Sequence, residues 1–292
     1  MDKMQIGLSY HNNQLRDYSS LFSRSEVLSW YKKDFTSINY KIERYDEQWY
    51  KLNKATYMDY LKYVYSILES HYQNEYVFKN TFLNDWLIKE IGEQNSKVFN
   101  EFRVGNAIAD LVMFNGHSKI FEIKTGYDTD TRLPLQLENY RKAFNQIFLI
   151  VPESKLSIYE KYAKNIGLIS FNSDGRNRFQ LHRDAEINLE IDSATLMNIL
   201  HTEEYKKIVK YFYGSLPKMT SFNQFIICKE LIEKIPSTEL NKLFIAQIKK
   251  RGTTNTLSTR YYKEFNQLCL ALKMNKAERN QMIANLKTQL HT

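Results

Sequence analysis

The hydrophobic pattern of the chain changes period twice. Before residue 72, apolar and aromatic residues recur at helical spacing. In TYMDYLKYVYSILESHY, for example, Tyr57, Leu61, Val64 and Leu68 fall on one stripe. A second amphipathic helix is predicted over 74–91, with Phe78, Phe82, Trp86 and Leu87 on its apolar side and Gly92 as its stop. The period then shortens. Strands are predicted over 97–102, 107–114 and 119–124, followed by a polar, glycine-containing loop over 125–131. Pro134 suits the first turn of a helix running to about Ala143. QIFLIV, from Gln146 to Val151, reads as a buried strand ended by Pro152; a helix over 156–164 and a strand over 168–171 follow. After residue 193 the helical period returns, in TLMNIL, EEYKKIVKYFY, FNQFIICKELIEKI, ELNKLFIAQIKK and RYYKEFNQLCLALKM. Helix, three strands, helix, strand, helix, strand predicts an α/β fold: a mixed sheet flanked by helices, with helical N-terminal and C-terminal extensions. The expected divisions are a helical region over 1–72, the sheet-containing core over 73–192 and a basic helical domain over 193–292.

The second and third predicted strands carry charge inside apolar runs. IADLVMFNGHSKIFEIKTG holds Asp110 on one run and Glu122-Ile123-Lys124 on the next, with Asn115-Gly116 between them. Two short β-type runs around Asn-Gly predict a hairpin. Side chains alternate faces along a strand, so Glu122 and Lys124 share a side while Ile123 faces the core. With a three-residue loop, Asn115 to His117, Asp110 pairs across from Glu122. A loop one residue longer or shorter turns one of them away. Glu-x-Lys recurs at Glu153-Ser154-Lys155, which follows Pro152, and at Glu204-Tyr205-Lys206, which lies in a helical pattern. Neither has a strand and an acidic partner. Two carboxylates and an ammonium on one surface suit a divalent cation acting on a phosphodiester; a surface salt bridge is the plainer alternative. Gln136 and Tyr140, four residues apart on the next predicted helix, share a face that can look toward the acids; a solvent-facing glutamine and a core tyrosine are the plainer alternative.

Charge and cysteine content narrow the class. Net charge is +8. Residues 193–292 hold 16 Lys plus Arg against 7 Asp plus Glu, and the preceding residues hold 25 against 26. The positive excess therefore lies in the C-terminal third, which fits either a polyanion partner or a solvated helical surface. Lys249-Lys250-Arg251 makes a basic turn there. Cys228 and Cys269 match no metal spacing and suggest a reducing compartment. No apolar stretch has the length of a signal peptide or a membrane span, so a cytoplasmic location is expected, with no membrane partner.

Over residues 74–171 the chain resembles the PD-(D/E)XK nuclease superfamily, particularly its RecB-like branch. The matching pieces are the leading helix, Asp110 on the second strand, Glu122-Ile123-Lys124 on the third and Gln136-x-x-x-Tyr140 on the following helix. Residues 96–152 look closer still to a small bacterial family within it, through Glu101, the aspartate strand, Asn-Gly, Glu-Ile-Lys and Arg132-Leu133-Pro134-x-Gln136 with a following tyrosine. The resemblance implies a restriction-endonuclease-like fold and Mg²⁺- or Mn²⁺-dependent cleavage of nucleic acid, with DNA as the expected substrate and RNA as the alternative. Asp110 and Glu122 would be metal ligands, Lys124 the catalytic lysine, and Gln136 and Tyr140 positioning groups. Ala109 stands where the superfamily name has proline. The acid that many RecB-like members carry on the leading helix has Glu75, Glu90 and Glu101 as candidates. Arg132, Lys249, Lys250 and Arg251 are expected to contact phosphates. Proteins of this type often serve bacterial defence systems or mobile elements. The alternatives are a non-catalytic nucleic-acid-binding or regulatory module on a nuclease fold, and a nuclease controlled by a protein partner through its helical flanks.

Overall fold

The computed structural model describes residues 10–88, 96–125, 130–162, 164–172, 178–252 and 261–290. Gly92 and Glu90 lie outside these residues. Two compact units are present, one formed by 85–254 and the other by 1–84 together with 255–292.

The unit formed by 85–254 is α/β. Its six strands are β1 (Lys97–Val104), β2 (Ala107–Phe114), β3 (Ser118–Ile123), β4 (Gln146–Pro152), β5 (Gly167–Phe171) and β6 (Phe179–Arg183), in sheet order β1-β2-β3-β4-β5-β6. The β1–β2 and β2–β3 pairs are antiparallel, β3–β4 and β4–β5 are parallel, and β5–β6 is antiparallel. The parallel β3–β4 pair requires a crossover, and the helix Leu133–Arg141, with Pro134 in its first turn, supplies it. Its apolar side, Leu133, Leu137 and Tyr140, packs into a core shared with Val112, Phe114 and Leu149 of the sheet. The expected helix over 156–164 is one short turn, Leu156–Tyr159, after a 3₁₀ segment. Strand β6 was not expected from the sequence. It is an edge strand, exposed along most of its length, so FQLHR has no buried face to leave an apolar alternation.

The chain divides differently from the three-part expectation. The helices Ser193–Ile199, Thr202–Tyr213, Gln224–Ile232 and Ser237–Ile248 belong to the sheet unit, where Leu196, Ile208, Ile232 and Phe244 enter the same core as the strands. Residues beyond 254 join the N-terminal helices instead. There Phe265, Cys269 and Met282 pack with Trp30, Tyr60 and Leu61, and Asn285 Nδ2 donates to the Trp30 carbonyl at 3.0 Å. The buried Asp46 carboxylate in that unit accepts from Tyr18 at 2.6 Å, Tyr60 at 2.8 Å and Tyr63 at 3.3 Å. The expected basic C-terminal domain is therefore not one body. By sequence the sheet unit carries 24 Lys plus Arg against 21 Asp plus Glu, and the helical unit 17 against 12. Apolar stripes decide this division. Charge on the outer helix faces adds little to folding, whereas each buried stripe removes apolar area from water.

The leading helix spans Glu75–Phe82 and continues into a π-helical turn, Leu83–Leu87, with Phe78, Phe82 and Leu87 buried as the pattern predicts. No helix among the described residues is long and apolar enough to cross a membrane.

Candidate active site

The β2–β3 hairpin has the three-residue loop, and Phe114 pairs with Ser118, Met113 with Lys119, Val112 with Ile120 and Leu111 with Phe121. Continued by one residue, this register sets Asp110 opposite Glu122. Asp110 Oδ2 accepts from the Ile123 backbone N–H at 2.8 Å, which fixes the carboxylate against the Glu-Ile-Lys strand.

Glu122 is the centre of the site and is buried, with Lys124 buried beside it. Glu122 Oε1 accepts from Lys124 Nζ at 2.9 Å and from Gln136 Nε2 at 2.8 Å. The Tyr140 hydroxyl lies 2.8 Å from Glu122 Oε2 and 2.9 Å from the Ile108 carbonyl, and its single proton serves one of them at a time. Gln136 Oε1 in turn accepts from Lys124 Nζ at 3.1 Å. Five sequence-predicted residues, Asp110, Glu122, Lys124, Gln136 and Tyr140, are thus brought together from β2, β3 and the crossover helix. The Ile108 carbonyl joins them, a backbone group that no side-chain pattern announces.

Electrostatics match the geometry. Burial pushes Glu122 above the usual carboxylate range, and the negative Asp110 pushes the same way. The Lys124 charge and the hydrogen bonds from Lys124 and Tyr140 oppose this without cancelling it. Burial, and then the neighbouring Glu122 charge, holds the Tyr140 phenol far above its ordinary value, so it stays a proton donor. A buried ion pair such as Lys124–Glu122 needs further hydrogen bonds to offset its desolvation, and Gln136 supplies one to each partner.

Other expected site residues fall elsewhere. Glu101 sits across from Asp110 in the β1–β2 register, between the pairs Asn100–Leu111 and Phe102–Ala109. Its backbone is left-handed at φ +53, which takes it out of the regular alternation of faces, and its side chain is exposed. Among the described residues no group of three His, Cys, Asp or Glu side chains forms a metal-sized cluster, so Glu101 does not complete one with Asp110 and Glu122. Glu75 accepts from Lys79 Nζ at 2.6 Å in the other unit. Arg132 is exposed at the N-cap of the crossover helix, and Lys250 is exposed. Arg251 corrects the expectation of a phosphate contact. Its Nε donates to Glu204 Oε1 at 2.6 Å, one Nη donates to Glu204 Oε2 and to the Ile199 carbonyl, and the fork is spent inside the protein. Both competing Glu-x-Lys triplets also have structural duties: Glu153 accepts from Asn172 at 2.5 Å, and Glu204 holds Arg251.

The opposite side of the crossover helix lines a cleft of about 580 Å³ with Pro134, Glu138 and Arg141. Their spacing of four and three residues sets them apart from Gln136 and Tyr140.

The family model described as Bacteriophage P4 protein cII matches residues 69–287, a span that includes the whole sheet and every residue of the Glu122 cluster. The chain belongs to the bacteriophage P4 protein cII family. Protein cII of Enterobacteria phage P4 is 24% identical over 215 residues, covering 70% of this chain and 80% of that protein. Among solved structures, a protein of unknown function from Silicibacter pomeroyi aligns with 14% identity over 40% of this chain and 80% of its own, at a TM-score of 0.29.

Proposed function

We propose that this member of the cII family is a metal-dependent nuclease that hydrolyses phosphodiester bonds in DNA. The observation that carries the reading is the Glu122 carboxylate, buried on a strand and held at both oxygens by Lys124, Gln136 and Tyr140, with Asp110 on the neighbouring strand. A purely structural ion pair gains nothing from a second carboxylate beside it, because Asp110 repels Glu122.

The donor set fits Mg²⁺ or Mn²⁺. Asp110 and Glu122 offer hard carboxylate oxygens, and such ions need only one or two carboxylates because they keep several waters. When bound, the ion supplies charge neutralisation at the phosphate and acidifies water. The remaining work falls to the chain. Lys124 has three donors, and among the described residues two of them go to Glu122 and Gln136, which leaves one for a phosphate oxygen. Gln136 holds the Lys124 ammonium and the Glu122 carboxylate in fixed relation, so neither has to reorganise as charge develops. Tyr140 prevents rotation of the carboxylate by holding its other oxygen.

The test is a cleavage panel of plasmid, linear duplex, single-stranded DNA and RNA with Mg²⁺, Mn²⁺ or EDTA. The expected outcome is DNA cleavage that requires the ion and disappears in Asp110→Ala and Lys124→Ala. Undiminished cleavage in those folded variants, or DNA binding without cleavage under either ion, overturns the assignment.

A further inference from the structure

The stretch from Tyr205 to Lys229 contains Lys206, Lys207, Lys210, Lys218 and Lys229 and no aspartate or glutamate. It covers most of the helix Thr202–Tyr213, the connection 214–223 and the first part of the helix Gln224–Ile232. Tyr205 meets Phe225 edge to face at 6.0 Å, and the Tyr213 hydroxyl donates to the Leu231 carbonyl at 2.9 Å. Both partners advance together along the chain, so the helices run side by side in one direction and the connection crosses back.

The first helix buries Tyr205, Ile208 and Val209. Its opposite face presents Lys207, Lys210 and Tyr211, at helical neighbour spacing and all exposed, Tyr211 at 74%. Phe222, in the connection, is 95% exposed. Of the 17 large hydrophobic residues exposed among the described ones, seven lie between 211 and 226. They fall on two helices that pack side by side and on the connection joining them, a local excess of exposed apolar side chains that suits an interaction surface. Lys206 and Lys229 are paired with Glu203 and Glu233, whereas Lys207, Lys210 and Lys218 form no ion pair among the described residues.

We infer that this surface binds single-stranded nucleic acid, with bases stacking on Tyr211 and Phe222 and phosphates meeting Lys207, Lys210 and Lys218. Flat aromatic faces interleaved with cations, on a stretch free of carboxylates, match the exposed bases and the backbone of a single strand. A duplex hides its base faces and leaves the aromatics without partners. A membrane surface calls for a continuous outward apolar stripe, whereas Ile208 and Val209 of this helix are buried and its outward face carries Lys207 and Lys210 beside Tyr211. The inference is independent of cleavage at Glu122.

Fluorescence anisotropy of labelled oligo-dT with the full chain in EDTA reads this binding without hydrolysis. The expected result is salt-sensitive binding to the single strand over a hairpin duplex, weakened about tenfold or more in Tyr211→Ala/Phe222→Ala. Tyr211→Phe should keep it, and Lys207→Gln/Lys210→Gln should flatten its salt dependence. Because the readout is taken in EDTA, a failed nuclease assignment leaves this result standing. Binding unchanged in both double variants, a preference for duplex, or capture by anionic phosphatidylserine vesicles in place of the strand overturns the inference. Circular dichroism confirms that the variants are folded.

Discussion

Tyr140 and Glu122 meet through a hydrogen bond of 2.8 Å, and this contact locks a buried carboxylate that Lys124 and Gln136 already hold at its other oxygen. The two residues are 18 positions apart, on the crossover helix and β3, so the bond also ties helix to sheet.

Tyr140→Phe therefore tests structure and activity together. It keeps the ring in its core site and removes the one proton that Glu122 Oε2 and the Ile108 carbonyl share. A lost hydrogen bond to a buried charged acceptor costs about 1.5–3 kcal/mol. Urea denaturation should show a loss in that range, and cleavage under the proposed function should fall even where the variant is fully folded. Unchanged stability and cleavage would show that the hydroxyl holds nothing.

Gln136 donates to Glu122 and accepts from Lys124. Gln136→Glu keeps the acceptor but sets a third carboxylate against Glu122, whereas Gln136→Ala leaves a space that water can fill. The charged variant should be the less stable of the two near neutral pH, and the gap should narrow as acid protonates the new carboxylate. Thermal melts at pH 7 and pH 5 would read this.

Arg251 and Lys250 are adjacent in sequence and should behave in opposite ways. Arg251→Ala breaks the fork on Glu204 and leaves that carboxylate and the Ile199 carbonyl short of donors. With allowance for solvent screening, the cost is about 1–2 kcal/mol. Arg251→Lys should recover only part of it, because an ammonium cannot span both oxygens. Lys250→Ala, at an exposed position, should stay within about 0.5 kcal/mol. Chemical denaturation of the three variants separates the cases.

The same pair sets a pH dependence. Burial alone pushes Glu204 up, but the hydrogen bonds and charge of Arg251, with the His201 backbone N–H, outweigh it and hold the carboxyl below its ordinary value. A depressed carboxylate stabilises the fold fully above the ordinary glutamate pKa, and that contribution is lost as pH falls through the folded value. Glu204→Gln should therefore be less stable than the parent at pH 7 and approach it below pH 4 or so. An equal deficit at both pH values would show that Glu204 does not titrate in this range.

Much of the candidate site was legible because its geometry is local. Asn115-Gly116 marks the hairpin, and the three-residue loop seen in the structure then sets its register; alternation puts Glu122 and Lys124 on one side, and four residues of helix put Gln136 and Tyr140 on one face. Other features depended on distant partners. Lys249-Lys250-Arg251 reads as one basic turn, yet Glu204, 47 residues earlier, claims the arginine. Glu101 has the sequence position of a third acid, but a left-handed backbone angle inside β1 removes it, and a single φ leaves no mark on the pattern of residue types.

By itself the sequence determined which stretches are helical, where most strands lie and which residues of the candidate site share a face, because those follow from periods of about 3.6 and 2 residues. Tertiary structure alone decided which helices bury their stripes together. Of the helices after residue 193, those up to Ile248 close on the sheet, whereas those from Asn266 onward return to the first 84 residues. An amphipathic stripe specifies that a partner is needed, and only shape complementarity between distant surfaces selects which one.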